Sequence, residues 1–421
     1  MIWFQILVFL FCLGALFAYV DERFLHLQTT VGVMVLAMIA SCVGYFLDEL
    51  GVISWHSILM EFWEEFDFSS VLLKGLLCFF LFAGALHIPI KSLEKDKWMI
   101  LALAVLGTCI STFVVGIAGW AVLGLIGVEI SFLYMLLFGA IISPTDPIAT
   151  LAILKNVGLP QRLETVINGE SLFNDGVAMV LVTVISGLIY ASSTHPSLAN
   201  VTLMFVQEVA GGGILGIAVG LICNFMLRGV RQHSSEVLIT LAAVTGGFTL
   251  AQYLEVSGPI SIVAVGLVVG NFSRVETGEN GARTDLDVFW KMIDEILDIV
   301  LFVLIGMLVV ILSPTILSAA AAVIMVPIVL FARWISVTAS ILLLKIHERI
   351  GHRLWNVIKL LSWGGLRGGL PLALALSLNS GDDRDFILVI AYAVVAFSVI
   401  VQGLTIDRLF TKEELEKMAA S

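Results

Sequence analysis

Long apolar runs constrain the fold of this chain more than any other feature of its sequence. Runs of about 20 residues are long enough to cross the hydrocarbon core of a bilayer as helices, which pair their own backbone groups there. Hydrophobic residues make up 59% of the chain and charged residues only 13%, unlike a soluble domain. The sequence therefore predicts an all-α polytopic membrane protein with about thirteen transmembrane helices. The predicted spans are residues 2–20, 28–46, 70–87, 98–125, 132–153, 165–190, 203–227, 236–254, 258–271, 290–312, 316–344, 355–378 and 385–405.

The distribution of basic residues predicts the orientation of these spans. If the N-terminus lies outside, the inner loops and the C-terminal segment hold seventeen lysines and arginines, and the outer loops hold only Arg384. Because basic residues concentrate in cytoplasmic loops, we expect the N-terminus outside and the C-terminus inside. The first span lacks the features of a cleaved signal peptide, so we expect a retained helix. Residues 1–405 are expected to form one multi-pass unit of the cell (inner) membrane, and residues 406–421 a short cytoplasmic tail.

Two further patterns are interpreted as structural. Gly212, Gly216 and Gly220 recur every four residues in the seventh predicted span, which indicates a face where another helix packs closely. The five cysteines all fall inside apolar runs, and their spacing implies neither a disulfide framework nor a metal cluster. We therefore expect them to be reduced packing residues.

Two of the predicted spans contain helix-breaking residues. The fifth span contains two prolines on either side of Asp146, within residues 143–147, and each proline removes a backbone donor. The twelfth span contains four glycines around Arg367, within residues 364–369, followed by Pro371. Two antiparallel broken spans in corresponding places predict inverted repeats with two broken, crossing helices and a binding site near the midplane. The alternative is that both are merely kinked core helices.

The sixth predicted span carries polar groups at membrane depth, where an ionisable side chain indicates a functional site. From Glu170 its sequence reads Glu-Ser-Leu-Phe-Asn-Asp-Gly. Spacing by four places Glu170 and Asn174 on one helical face, and Ser171 and Asp175 on the adjacent face. A hard monovalent cation prefers oxygen ligands, which Asp175, Ser171, Asn174 and freed carbonyls near Thr145 would provide.

Depth in the membrane relates these groups to the broken spans. Asp146, Asp175, Arg333 and Arg367 each lie near the middle of their own predicted spans, so they are able to meet in one layer. Arg333 is expected to neutralise Glu170, which leaves Asp175 as a single titratable site. An empty, ionised Asp175 would be costly, so it should hold either a proton or a cation when the carrier reorients. Such competition for one carboxylate is enough to make an exchanger.

Five short motifs together resemble a known transporter family over essentially the whole chain. The resemblance is to the NhaP-type branch of the monovalent cation/proton antiporters, whose animal relatives are the sodium/proton exchangers. It implies a homodimer in the lipid bilayer, with interleaved core and dimerisation subdomains, that exchanges sodium, lithium or another alkali cation for a proton. The motifs are T-D-P at 145–147, E-S-L-F-N-D-G at 170–176, A-R at 332–333, G-G-L-R-G at 364–368 and V-Q-G at 401–403.

The same resemblance implies roles for the polar residues of the sixth span. By position, Asp175 is the carboxylate that alternately binds cation and proton. Ser171 and the backbone around Thr145 supply further oxygens, so a sodium site is expected at these three residues. Asn174 occupies the position that, in the family, separates electroneutral exchangers from relatives with a second aspartate.

The remaining charged residues receive structural roles from the resemblance. Glu170 is expected to pair with Arg333, while Asp146 and Arg367 stabilise the exposed ends of the broken helices. Asp146 is also expected among the ion-binding residues, together with Asp175, Ser171, Thr145 and Asn174. One position departs from the family pattern: relatives often read F-E-G-A in the third span, whereas Ala83 replaces the glutamate here. The cation preference among sodium, lithium and potassium therefore stays open.

Two other classes of membrane protein fit the sequence less well. A cation channel would also place acidic residues in the membrane, but the chain has no repeated pore motif or carbonyl-filter sequence. An intramembrane hydrolase would need a zinc site or an activated nucleophile, and His347 and His352 are five residues apart, not four as in H-E-x-x-H. No G-x-x-x-x-G-K loop supports a primary pump. We therefore expect a transporter that is not an enzyme, needs no cofactor and binds no nucleic acid.

Overall fold

The computed structural model describes residues 2–51, 63, 67–147, 150–151, 159, 161–190, 198–230, 232–277, 284–312, 314–343 and 354–409. All regular structure within these ranges is helical. The helices are α1 (Ile2–Val20), α2 (Thr29–Glu49), α3 (Phe68–Leu86), α4 (Ile90–Leu125), α5 (Phe132–Ile142), α6 (Gln161–Tyr190), α7 (Leu198–Arg228), α8 (His233–Tyr253), α9 (Gly258–Thr277), α10 (Thr284–Leu308), α11 (Ile316–Leu343), α12 (Leu354–Trp363), α13 (Leu370–Leu376), α14 (Asp382–Phe397) and α15 (Gly403–Leu409).

The helices account for the predicted spans, and the all-helical membrane fold is confirmed. Within the described ranges, nine helical segments are long and apolar enough to cross a membrane. The other four predicted spans, 132–153, 258–271, 290–312 and 355–378, also hold helices, but these are shorter or more charged. The count of thirteen crossings therefore stays a prediction.

Some helices begin before the predicted spans. Helix α4 begins at Ile90 and α10 at Thr284, in both cases with charged residues in the added turns. In α10 two aspartates occupy the first turn, where the positive end of the helix dipole stabilises acidic side chains. Hydropathy marks only the apolar part of a helix, which explains the difference.

Large apolar side chains cover the outside of the bundle. Phe225 of α7 is 76% exposed, Phe4 of α1 is 72% exposed and Tyr253 of α8 is 84% exposed. A soluble monomer rarely presents such extensive apolar surface, whereas lipid accommodates it. The five cysteines are free thiols; Cys78 and Cys223 are buried, while Cys12 and Cys42 belong to this outer surface.

Close helix packing brings the core elements together. A Cβ on Gly212 would lie 2.6 Å from the Ser257 carbonyl oxygen, and one on Gly220 would lie 2.8 Å from Cβ of Val268. The predicted close-packing face of α7 is thus confirmed, and α9 occupies it. Helix α9 in turn packs against α3, α6 and α8, while α6 also contacts α4 and α5. This arrangement places α6 inside the bundle, next to the end of α5.

Candidate functional site

The two predicted helix breaks are present, and they contact each other. Helix α5 ends at Ile142, and residues 143–146 are not helical; residues 364–369 likewise interrupt the helix between α12 and α13. The backbone N–H of Asp146 donates a 2.7 Å hydrogen bond to the carbonyl oxygen of Leu366. The Thr150 hydroxyl donates a 2.5 Å hydrogen bond to the carbonyl oxygen of Gly364. The breaks therefore satisfy part of each other's backbone, as membrane depth requires.

Arg367 pairs the carbonyl groups that the prolines leave free at the end of α5. Its Nη1 donates to the carbonyl oxygen of Ser143 and, at 2.7 Å, to that of Pro144. Because Pro147 has no N–H, it is unable to pair with the Ser143 carbonyl four residues earlier. Arg367 is only 3% exposed, so its positive charge lies inside the protein at the negative end of α5. The contact expected of Arg367 with a broken helix end is present.

Asp146 occupies the complementary position beside the second break. A Cβ on Gly368 would lie 3.0 Å from both Cβ and Cγ of Asp146, so only glycine leaves room for this aspartate. Gly368 lies just before α13. The acidic side chain is thus near the amino end of one interrupted helix, and the basic Arg367 is near the carboxyl end of the other.

A short helical irregularity after α14 supports the second break. Residues Ser398–Gln402 form a π-helical turn, a feature often found at functional sites. The Ser398 hydroxyl accepts a 3.0 Å hydrogen bond from the backbone N–H of Arg367. The Gln402 amide donates a 3.0 Å hydrogen bond to the carbonyl oxygen of Trp363. Ser398 and, within the V-Q-G motif, Gln402 therefore supply hydrogen-bond partners to the backbone at the break.

The predicted ion pair between Glu170 and Arg333 is confirmed. Arg333 Nη1 lies 2.5 Å from Glu170 Oε1, and the two residues are only 5% and 2% exposed. Arg333 Nε and Nη2 also donate to the carbonyl oxygen of Leu361, at 3.2 and 3.0 Å. A Cβ on Gly365 would lie 2.6 Å from Arg333 Nε, so this glycine makes room for the guanidinium. The Glu170 charge thus has a fixed partner that is itself well bonded.

Three of the predicted cation ligands form one buried oxygen cluster, which consists of Thr145, Ser171 and Asn174. The hydroxyls of Thr145 and Ser171 are hydrogen-bonded at 3.1 Å, and Asn174 Nδ2 donates to Thr145 Oγ1 at 2.9 Å. The three residues are 4%, 3% and 1% exposed. Asn174 Oδ1 is buried and accepts no hydrogen bond from the described residues. A buried acceptor of this kind is suited to a ligand, because leaving it unpaired costs about 1–3 kcal/mol.

Asp175 lies next to this oxygen cluster. Its side chain is half-buried and, within the described ranges, makes no hydrogen bond or ion pair. Ser171 precedes it by one helical turn on the same face, and Asp146 is close enough for its charge to act on Asp175. A small cavity lined by Thr145, Glu170 and Ser171 adjoins the cluster. Unlike Glu170, Asp175 has no fixed counter-charge.

The structure also shows acidic residues that the sequence analysis missed. Asp298 of α10 is buried, and Asp294 lies one turn earlier on the same face. Asp96 forms a bidentate ion pair with Arg162. The predicted spans leave Arg162 in a loop, but it lies in the first turn of α6. The sequence signal that could have identified Asp294 and Asp298 is their spacing of four residues within the tenth predicted span. Ala83 is buried and offers no side-chain oxygen at the position where the resemblance led us to expect a glutamate in relatives.

Two of the regions discussed from the sequence lie outside the described residues. One contains the two histidines of the rejected hydrolase motif, within 344–353, and the other is 410–421 of the tail.

The sequence and the fold match known membrane transporters. A family model described as sodium/hydrogen exchanger, transmembrane, matches residues 7–412. The chain is 42% identical over 410 residues to the Na(+)/H(+) antiporter NhaP of Pseudomonas aeruginosa, covering 96% of each chain. It is 33% identical over 340 residues to the Na(+)/H(+) antiporter NhaH of Halobacillus aidingensis, covering 78% of this chain and 79% of that relative.

A solved structure shows the same fold. The sodium proton antiporter MjNhaP1 from Methanocaldococcus jannaschii at pH 8 matches with a TM-score of 0.75 and 19% identity, over 100% of both chains. The family model spans almost the entire sequence, and the NhaP relative is similar over nearly its full length. This all-helical, multi-pass membrane protein belongs to the sodium/hydrogen exchanger family.

Proposed function

We infer that this chain is a secondary active antiporter that exchanges sodium for protons across the inner membrane of the cell. The observation that carries this proposal is the contrast between two carboxylates five residues apart on α6. Glu170 has a fixed counter-charge in Arg333, whereas Asp175 has none among the described residues and lies beside buried oxygen atoms. The relatives NhaP and NhaH are Na(+)/H(+) antiporters, which supports the same substrates.

In the proposed mechanism, cation and proton compete for Asp175. A sodium ion that loses its water needs replacement oxygens, and the Asp175 carboxylate, the Ser171 and Thr145 hydroxyls and the Asn174 amide oxygen provide them. When the ion leaves, the carboxylate takes a proton, because an ionised group without a partner is costly at this depth. Only the neutralised forms reorient, so net movement follows the two gradients and the site alternates between the two sides.

The charge inventory favours electroneutral exchange. Arg333 neutralises Glu170, and Asn174 adds hydrogen-bonding capacity without a charge. Asp175 is then the one carboxylate of this group whose charge changes during transport. One proton trades for one monovalent cation.

The proposed architecture is that of an inverted-repeat carrier. Thirteen spans place the N-terminus outside and the C-terminus inside, and the breaks after α5 and after α12 cross near the midplane. The backbone hydrogen bonds between residues 143–150 and 364–367 support this crossing. The proposed assembly is a homodimer in the bilayer, in which a core subdomain moves past a fixed dimerisation subdomain; the resemblance to the family supports it.

A second cation remains a candidate substrate because of Ala83. Since this buried alanine supplies no oxygen where relatives carry glutamate, a ligand that would help to select sodium is missing. Potassium/proton exchange by the same site is the alternative, while lithium would be exchanged in the same way as sodium.

Dissipation of a proton gradient in inside-out vesicles tests the proposal. Sodium, lithium and potassium are added separately to vesicles that contain wild-type protein, and the internal pH is followed with a fluorescent dye. Sodium should collapse the gradient in wild-type vesicles and leave it intact in vesicles with Asp175→Asn. A wild-type gradient that no alkali cation collapses would refute antiport.

A further inference from the structure

Helix α10 contains two carboxylates that the proposed exchange at Asp175 does not use. Asp298 is only 3% exposed, and its Oδ1 accepts no hydrogen bond from the residues that the structure describes. Asp294 precedes it by four residues, so both side chains lie on one face, and Asp294 is half-buried. A buried carboxylate in a membrane helix needs a proton or a cation to neutralise it when no basic partner does so.

Packing places Asp298 beside the helix breaks. Leu301, one turn further along α10, lies so close to Gly369 that a Cβ there would be 2.6 Å from its Cδ1. The preceding glycine, Gly368, makes the close approach to Asp146 described above. The face of α10 that carries Asp298 therefore adjoins the same break as Asp146.

Among the described residues, the charges that act on Asp298 are acidic. They come from Asp146 in the break after α5 and from Asp294 and Glu295 on α10 itself. The charge of Asp146 also acts on Asp175. The carboxylates thus form a series. Asp294, the more exposed of the two on α10, lies at one end, Asp298 and Asp146 follow, and Asp175 lies at the other end.

We propose that Asp298 is a proton relay that connects Asp294 with the shared carboxylate Asp175. When Asp298 gives up its proton in the direction of Asp175, it becomes a carboxylate and takes another proton from the side of Asp294. The reverse sequence carries a proton released by Asp175 back through Asp298 to Asp294. No proton is gained or lost within the series. The inference rests on the proposed exchange at Asp175, since it concerns only the route by which protons reach that site.

Comparing two fluxes in proteoliposomes tests this relay. Sodium/proton exchange needs proton delivery, whereas exchange of isotopically labelled sodium for unlabelled sodium needs none. In Asp298→Asn, an amide replaces the acid and is unable to carry a proton. Sodium/proton exchange should therefore slow by about tenfold or more, while sodium/sodium exchange stays at the wild-type rate. Asp298→Glu restores an acid and should recover part of the sodium/proton flux.

The control variants separate the relay from the shared site. Asp285→Asn removes an exposed carboxylate from the first turn of the same helix, whose charge is not among those that act on Asp298, and should leave both fluxes unchanged. Asp175→Asn should abolish both fluxes, and if it does not, the proposed function fails independently of the relay. If Asp298→Asn leaves sodium/proton exchange intact, or slows both fluxes equally, Asp298 is not a proton relay. If that variant does not fold, Asp294→Asn decides the question: selective slowing supports the relay, and two unchanged fluxes overturn it.

Discussion

Asn174 and Asp175 are neighbours in sequence, yet their side chains have different surroundings. Asn174 is buried and donates a hydrogen bond to Thr145, whereas Asp175 is half-buried next to the same oxygen cluster. Glu170, one turn earlier, is held by Arg333. A carboxylate with a fixed counter-charge responds little to protons or cations, and one without it responds to both. At the scale of single residues, function depends on which acid is left without a partner.

The ion pair of Glu170 and Arg333 gives the first prediction. Replacing either residue with alanine leaves a buried charge unpaired, which should destabilise the protein by about 3–5 kcal/mol and lower its yield. Reversing both charges together should recover part of the loss. Yield and thermal unfolding in detergent measure the effect. The control is Lys291→Ala, whose exposed pair with Glu295 should contribute only about 0–1 kcal/mol. Normal stability in both single alanine variants would show that the pairing is unimportant.

Thr145→Val tests the oxygen cluster without changing its shape. The substitution removes the hydroxyl that contacts both Ser171 and Asn174, at a cost of about 1–3 kcal/mol in a site that needs this oxygen. The apparent sodium affinity of exchange should therefore weaken about tenfold. Thr108→Val is the matched control, because Thr108 is equally buried but its hydroxyl bonds only the Ala104 carbonyl of its own helix. Equal affinities in the two variants would remove Thr145 from the site.

At the scale of helices, the two breaks stabilise each other, because each provides hydrogen-bond partners or a side-chain charge to the end of the other interrupted helix. The backbone of one break pairs with the other, Arg367 occupies the carboxyl end of α5, and Asp146 lies beside Gly368 at the start of α13. These contacts hold the two breaks together beside the oxygen cluster. Prolines and glycines therefore act here as positioning elements.

Gly368→Ala tests how closely the breaks must approach. The new Cβ would lie 3.0 Å from Asp146 Cβ, closer than side chains pack, so Asp146 has to move. Overpacking of this kind typically costs about 1–3 kcal/mol, and we expect lower thermal stability together with slower exchange. Gly187→Ala is the control on α6, where a Cβ would meet nothing within 4 Å and the helix should gain stability. Wild-type exchange and stability in Gly368→Ala would argue against a tight crossing.

The breaks were predictable from sequence because proline and glycine act locally. The Glu170 and Arg333 pair was predictable from charge and depth, since few partners are available inside a membrane. The position of Asp298 beside the helix break was not predictable. Hydropathy indicates how deep a residue lies along its helix, but it does not indicate which neighbouring helix the residue faces. The early starts of α4 and α10 were missed for a related reason: charged turns outside the hydrocarbon remain helical without any apolar signal.

At the scale of the whole molecule, buried charges lie within a bundle whose outside is apolar. The interrupted helices α5, α12 and α13 and the central helix α6 hold the polar groups, while α1, α7 and α8 present large apolar side chains outward. Lipid-exposed breaks would leave backbone groups unpaired, so this separation is a requirement of the bilayer. It also confines ion chemistry to one layer.

Electroneutral exchange is the prediction that belongs to the molecule as a whole. If one carboxylate trades one proton for one monovalent cation, as proposed, a cycle moves no net charge. Exchange by reconstituted protein should therefore proceed at the same rate at any membrane potential that valinomycin and potassium gradients impose. Faster or slower exchange on reversal of the potential would mean that a second charge moves.

The most direct test of the account is the apparent sodium affinity of exchange, measured at a series of pH values in reconstituted wild-type protein and in Asp175→Asn. If protons and sodium compete for Asp175, the wild-type affinity should weaken about tenfold for each unit of pH on the acidic side, where protons occupy most of the sites. The variant should assemble normally and show no sodium-dependent proton movement. A wild-type affinity that stays constant across the acidic range, or substantial exchange in Asp175→Asn, would contradict the shared site.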